Sequence, residues 1–196
     1  MEPKFDRLRA HIQRRITLTE EEFAHAATFF RPKKLRRRQF LLQEGEVCRA
    51  IAFVVRGCLR WYSVDDKGEE HVVQFAIEDW WISDPYSALT GEPSKSYIDA
   101  LEDSDILLLE RDAEEKLLQE IPKFERLFRL LLENRFVATQ RRINESLSVS
   151  AEERYLNFLK TYPNIAGRVP QNQIASYLGI TAQSLSRIRK ELAGKA

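Results

Sequence analysis

The spacing of apolar residues changes twice along the 196 residues of this chain, and that pattern limits the fold more than any single motif. Over residues 4–30 the spacing is helical, with Phe5, Leu8, Ile12 and Ile16 recurring at three- and four-residue intervals. Thr19 and Glu22 have the spacing of a capping box, in which each satisfies a backbone donor of the other, so a second short helix follows. From Gln39 the runs become short, β-branched and aromatic: Phe40 to Gln43, IAFVVRGCLRWYSV at 51–64 broken by Gly57, and HVVQFAI at 71–77. Asp65-Asp66-Lys67-Gly68 reads as a turn, and strands continue at Ser96 to Leu101 and Ile106 to Leu109. At Arg111 the helical period returns and holds to the end. The pattern predicts an α+β chain: N-terminal helices, a β jelly-roll, one long helix and a small C-terminal helical domain.

The long helix runs from Pro122 to about Leu147 with Phe128, Leu132, Phe136, Thr139, Ile143 and Leu147 on one face. Roughly 25 residues at 1.5 Å each span about 38 Å, more than a small domain needs. Such a helix serves either a partner helix in a dimer or lengthwise packing on its own β-domain, and the dimer is the expectation. Ser150 and Glu153 then open a helix to about Lys160, which Tyr162-Pro163-Asn164 stops. The resulting domains are 1–121, 122–148 and 149–196.

Composition narrows the function classes. Hydrophobic residues at 43% and charged residues at 31% fit a folded domain, not a disordered one. Two cysteines, Cys48 and Cys58, are too few for a disulfide framework or a metal cluster and suggest a reducing compartment. The N-terminus lacks an apolar signal core, and no apolar run approaches the roughly 18 residues of a membrane span, so the expectation is a cytoplasmic protein with no membrane partner. Net charge is only +1, but Arg168, Arg187, Arg189, Lys190 and Lys195 face Glu191 alone after residue 167, leaving the last segment at +4 and the rest at −3.

That basic segment contains QNQIASYLGITAQSLSRIRKEL, residues 171–192. Pro170 suits the first turn of a helix, Ile174, Tyr177 and Leu178 give it an apolar face, and Gly179 ends it in a left-handed conformation. Thr181 caps a second helix in which Leu185, Ile188 and Leu192 face inward. The outward set is Gln183, Ser184, Ser186, Arg187, Arg189 and Lys190. This is a helix-turn-helix pattern, whose second helix enters the major groove of double-stranded DNA. Glutamine pairs bidentately with adenine and arginine with guanine, while the other cations neutralise phosphates. Gln171, Gln173, Thr181 and Ala182 complete the candidate contact set.

Taken with LLQEGE at 41–46, FVVRGCLRWY at 53–62 and DDKGEE at 65–70, the terminal IASYLGITAQSLSRIRKEL makes the chain resemble the Crp/Fnr family of transcription regulators. The resemblance covers the chain from about Phe23 onward. It implies a cyclic-nucleotide-binding-type sensor domain, a winged DNA-binding domain, and a homodimer reading a two-fold symmetric site. The family's base-reading positions fall on Ala182, Gln183 and Arg187; alanine offers only a methyl, so Gln183 and Arg187 carry most of the direct readout.

The sensor segment departs from the family. Nucleotide-binding members have a Gly-Glu pair and, about ten residues later, Arg-Ser or Arg-Thr; the sequence WWISDPYSALTGEPSKSYIDA puts Ile82-Ser83 and Ser94-Lys95 in those places. A lysine cannot reproduce the planar two-pronged contact of arginine with a cyclic phosphate, so a response to cyclic AMP is not expected. Ser83, Tyr86, Ser94, Lys95, Thr139 and Gln140 remain pocket candidates for an unidentified small effector.

No metal site or cofactor is expected. Two thiols do not make a [4Fe-4S] centre, His11, His25 and His71 are scattered, and Glu69-Glu70 lies in a turn. Nor is an enzyme: no nucleophile-base constellation or phosphate-cradling glycine loop is visible. The basic run RPKKLRRRQ at 31–39 is a further candidate for nucleic-acid contact, but the resemblance implies that it leads into the first strand, far from the second helix, so a solvated edge is the expectation. RNA polymerase is a further candidate partner. The competing reading is a small-molecule sensor whose output is a protein–protein contact. Only Ala193 to Ala196 follow the second helix, so any wing is expected from Ile165 to Val169.

Overall fold

The computed structural model describes residues 3–194, so Lys195 and Ala196 lie outside the described residues. Two helices open the chain, α1 (Pro3–Gln13) and α2 (Glu20–Ala27). The capping box at α2 is complete: the Thr19 hydroxyl accepts from the Glu22 amide, and the Glu22 carboxylate accepts from the Thr19 amide. Eight strands follow: β1 (Phe30–Leu35), β2 (Phe40–Leu42), β3 (Ala50–Arg56), β4 (Leu59–Val64), β5 (Glu70–Ala76), β6 (Trp81–Ile82), β7 (Tyr97–Ala100) and β8 (Ser104–Glu110), with α3 (Pro85–Thr90) between β6 and β7. They form two four-stranded sheets, ordered β1-β8-β3-β6 and β2-β7-β4-β5. After them come α4 (Arg111–Glu120), the 26-residue α5 (Lys123–Ser148), α6 (Ala151–Thr161), α7 (Pro163–Ala166), α8 (Gln171–Leu178) and α9 (Ala182–Ala193).

The chain divides into two compact units, one built from the residues up to Trp61 with Phe75–Asn134, the other from Tyr62–Gln74 with the residues from Arg135 onward. The first unit holds two cores, and strand alternation explains why. Successive side chains of a strand point to opposite faces. In β8, Ile106 and Leu108 enter the core inside the roll with Leu35, Leu42, Val54, Leu59, Ile82 and Ile98. Leu107 and Leu109 point the other way, into a core with Leu8, Ile12, Phe23, Leu117, Phe124 and Leu127 from the helices. Phe53 of β3 joins this second core while Ala52 and Val54 join the first. Truncating such a residue, Leu107 for example, costs about 2–5 kcal/mol.

Gly57 makes the tight β3–β4 turn possible. Its φ is +112°, and a Cβ there would lie 2.1 Å from the Ser104 hydroxyl, so no other residue fits without displacing β8.

One expectation needs correction. The basic run does not merely lead into the first strand: Phe30–Leu35 is itself β1, paired antiparallel with β8 from Phe30↔Leu109 to Leu35↔Ser104. Pro32 is tolerated because β1 is an edge strand, where an amide can be lost from the outer side. Arg36 to Gln39 then form a turn, and Arg38 adopts φ +68°.

His11 lies in the helix-facing core. Its Nε2 accepts from the Trp81 indole N–H at 3.0 Å, and its ring packs edge-on against Phe53. Burial, reinforced by Arg15 and Arg14, pulls its pKa down from 6.5 to about 4.

In the second unit, α6 to α9 bury Tyr155, Phe158, Ile165, Val169, Ile174, Ala175, Leu178, Leu185 and Ile188. Ser150 caps α6, accepting from the Glu153 amide. Ile165 to Val169 falls in α7 and the turn after it, not in a strand, so this segment supplies no β-hairpin wing; Pro163 at the start of α7 favours a helical turn there.

Candidate nucleic-acid interface

The turn between α8 and α9 is built by two residues with opposite conformational tasks. Gly179 takes φ +66°, ψ 36°, the left-handed conformation that lets Ile180 N–H return to the Ala175 carbonyl at 3.0 Å. Thr181 is extended and caps α9, its hydroxyl accepting from the Ser184 amide at 3.1 Å. Leu185 and Ile188 anchor α9 to the helical core, and Leu192 is half-buried. Pro170 stands at the N-cap of α8, one position before the first turn.

With that face anchored, α9 presents Ala182, Gln183, Ser186, Arg187, Arg189 and Lys190 to solvent. No acid among the described residues pairs with Arg187, Arg189 or Lys190. Gln183 and Arg187 are one turn apart, about 6 Å along the axis at 1.5 Å per residue, so the two side chains share a face. Ser184 is different: it is half-buried, and its hydroxyl accepts from Thr181 Oγ1 at 2.9 Å, so it is tied into the cap. Gln171 and Gln173 lie half-buried in the first turn of α8, and Thr181 is exposed at the loop.

The sensor segment has the reverse character. Asp84 caps α3, accepting from the Tyr86 and Ser87 amides, and its other oxygen accepts from the Ser94 hydroxyl at 2.7 Å. Ser94 also accepts from the Ser96 amide at 3.0 Å, and Ser87 accepts from the Cys48 amide while donating to the Glu92 carbonyl. Asp84, Ser87 and Ser94 are buried, as is Ser83. Asp84 is the residue that sequence reading passed over; it stands immediately after Ile82-Ser83, and its signal was an aspartate before a proline, the signature of a capped helix. Tyr86 is exposed, its hydroxyl donating to Glu92, and that carboxylate raises the phenol pKa. Lys95 is exposed too, as are Thr139 and Gln140 on α5.

The cyclic nucleotide-binding domain family matches residues 32–121. The regulatory protein HlyX of Actinobacillus pleuropneumoniae is 25% identical over 185 residues, covering 88% of this chain and 76% of that protein. The fumarate and nitrate reduction regulatory protein of Vibrio cholerae is also 25% identical, covering 88% and 73%. Among solved structures, FixK2 from Bradyrhizobium japonicum superposes with a TM-score of 0.73 at 20% identity, over 85% of each chain. The chain is therefore similar in sequence to these regulators and shares the fold of FixK2.

The long-helix face divides along its length. Phe128 packs against the helix-facing core, whereas Leu132, Phe136, Ile143 and Leu147 are exposed, Leu147 to 81%. Thr139 lies exposed between them, and Val137 adds a further exposed apolar side chain. Cys48 and Cys58 are both buried. His25 pairs with Glu120. Asp65, Glu69 and His71 bring ligand-type atoms within 4.8 Å of one another on the exposed β4–β5 turn, a grouping that sequence reading did not single out. His71 Nε2 is already hydrogen-bonded to Asp65 at 3.0 Å, and the Glu69 amide donates to the same carboxylate, so the turn's own hydrogen bonds bring these groups together. Among the described residues no helix is long and apolar enough to cross a membrane.

Proposed function

We propose that this chain, like the relatives named as regulatory proteins, is a DNA-binding transcription regulator, and that it acts as a homodimer reading a two-fold symmetric duplex site with one α9 per half-site. The observation that carries the reading is α9 itself: an apolar face fixed in the helical core, and an opposite face of polar and cationic side chains open to solvent. Arg187 reads a guanine, Gln183 an adenine within about two base-pair steps of it, and Ser186 lies between them on the same face. Arg189 and Lys190, on the flank, meet phosphates. Gln171, Gln173 and Thr181 border the same surface, while Ser184 serves the cap.

Support for the dimer comes from α5. Leu132, Phe136, Ile143 and Leu147 are exposed apolar side chains at helical spacing, with Thr139 among them, the kind of surface a second copy of the same helix covers. Support for independence from cyclic AMP comes from the segment at Asp84 to Ser96. There the hydroxyls are bonded internally and a buried carboxylate would face an entering phosphate. The effector, if the roll takes one, is therefore not a cyclic nucleotide held in the family's manner.

Selection from a random duplex pool, with and without cyclic nucleotides, tests this directly. The expected outcome is a palindromic site recovered equally in both conditions. Arg187→Ala should weaken binding to that site by about 1–3 kcal/mol and relax preference at one base pair. Unchanged binding would remove α9 from the reading role.

A further inference from the structure

We propose that the β4–β5 hairpin holds the helix-turn-helix in its reading orientation, with Ser176 and Arg142 as positioning residues. The inference rests on the assignment of α9 as the reading helix. It comes from contacts made inside the second unit, which contains residues 62–74 of the hairpin together with α6 to α9.

β5 is the last strand of its sheet, so one of its edges has no strand partner. Ser176, on α8, occupies that edge: its hydroxyl donates to the Glu70 carbonyl at 2.6 Å and accepts from the Val72 amide at 2.9 Å. A carbonyl at one residue and an amide two residues later are the pair that a neighbouring antiparallel strand would engage. One serine hydroxyl, with one proton and two lone pairs, satisfies both.

The adjacent residue closes a circuit. The Arg142 guanidinium from α5 lies 5.0 Å from the centroid of the Tyr177 ring and donates to the Val73 carbonyl at 2.6 Å. Tyr177 also packs at a tilt against Phe158, 5.6 Å between centroids, and burial raises its phenol pKa, keeping the ring neutral beneath the cation. The contacts therefore run from β5 through Ser176 to Tyr177, then through Arg142 back to β5. A single bond would tether α8; a closed circuit through two consecutive residues also fixes its rotation about its own axis.

That rotation matters because α8 and α9 are joined by a three-residue turn locked by Gly179 and Thr181, and the two helices pack on each other. Turning α8 turns the face on which Gln183 and Arg187 stand. Plugging an open edge would require only a polar cap; here the cap is the helix that carries the reading helix.

The test uses the full chain and the duplex selected above. Ser176→Ala removes both bonds and Ser176→Thr restores the hydroxyl. The expected result for Ser176→Ala is faster hydrogen exchange at the Val72 amide and about a tenfold loss of affinity for the selected site, as for one to two net hydrogen bonds, with affinity for unrelated duplex unchanged. Ser176→Thr should recover both. Faster exchange at Val72 with unchanged site affinity would overturn the proposal, leaving Ser176 an edge cap. Equal losses on both duplexes would overturn it too, since a positioning residue acts on the ratio of specific to unrelated binding. Arg187→Ala in the same assay separates the failures. If it leaves site binding intact, the reading-helix assignment falls; if it weakens the site and Ser176→Ala does not, only the positioning role falls.

Discussion

The Asp84–Ser96 segment and helix α9 are both rich in small polar residues, and the chain uses them in opposite ways. Around Asp84 the hydroxyls and the carboxylate are buried and spend their hydrogen-bonding capacity on one another and on nearby amides. Along α9 the polar side chains stand in water, with only Ser184 drawn into the cap. A buried polar group left without a partner costs about 1–3 kcal/mol, so the first cluster must be complete in the free protein. An exposed one loses little by waiting. The first arrangement therefore stabilises the fold, and the second is free to meet a ligand.

The contrast can be broken by substitution. The largest effect is expected outside both regions, as a reference for what loss of assembly does: Leu132→Asp with Phe136→Asp should weaken self-association by about 4 kcal/mol or more, seen as a monomer by sedimentation equilibrium, with site binding lost alongside. Asp84→Ala should destabilise the fold by about 3 kcal/mol in urea unfolding, because α3 loses its cap and Ser94 its buried partner. Affinity per folded molecule for the DNA site should not change, which is the reverse of the result expected for Arg187→Ala.

Next in size is the pH response of the roll. His11 has a folded pKa of about 4 against 6.5 unfolded, so the unfolded chain takes up the proton first as pH falls. Stability from this residue is complete above pH 6.5 and is lost as pH drops toward 4, by about 2 kcal/mol at pH 5. Protonation places an N–H against the Trp81 N–H that Nε2 now accepts, so both the charge and the donor are misplaced. The unfolding midpoint of the natural chain, less that of His11→Phe, should trace this loss between pH 7 and 5; parallel profiles would sink it. The smallest change is expected at the cap of α9, where Thr181→Ala should cost about 1 kcal/mol and Thr181→Ser almost nothing, read by exchange of the Ser184 amide.

These regions were unequally legible in the sequence. Gly179 and Thr181 act through backbone conformations that few residue types supply, and the α9 face follows from helical spacing, so the helix-turn-helix could be read residue by residue. Strand β1 was obscured because Pro32 and a row of cations contradict strand composition; its place at a sheet edge removes the contradiction, but edges are a property of topology. Asp84 was missed because its partner Ser94 lies ten residues away, beyond the helix it caps. Ser176 was missed for a stronger reason: it bonds backbone groups of Glu70 and Val72, and a backbone amide has no letter in the sequence.

The Ser176 contact also sets an order in time. It joins residues 104 positions apart, so a growing chain completes β5 long before α8 exists. At about 5–20 residues per second the edge of β5 stays open for roughly 5–20 seconds on the ribosome. The hairpin crosses that interval carrying Asp65, Asp66, Lys67, Glu69 and Glu70 at its tip, charges that keep one nascent chain from pairing with the next until α8 arrives.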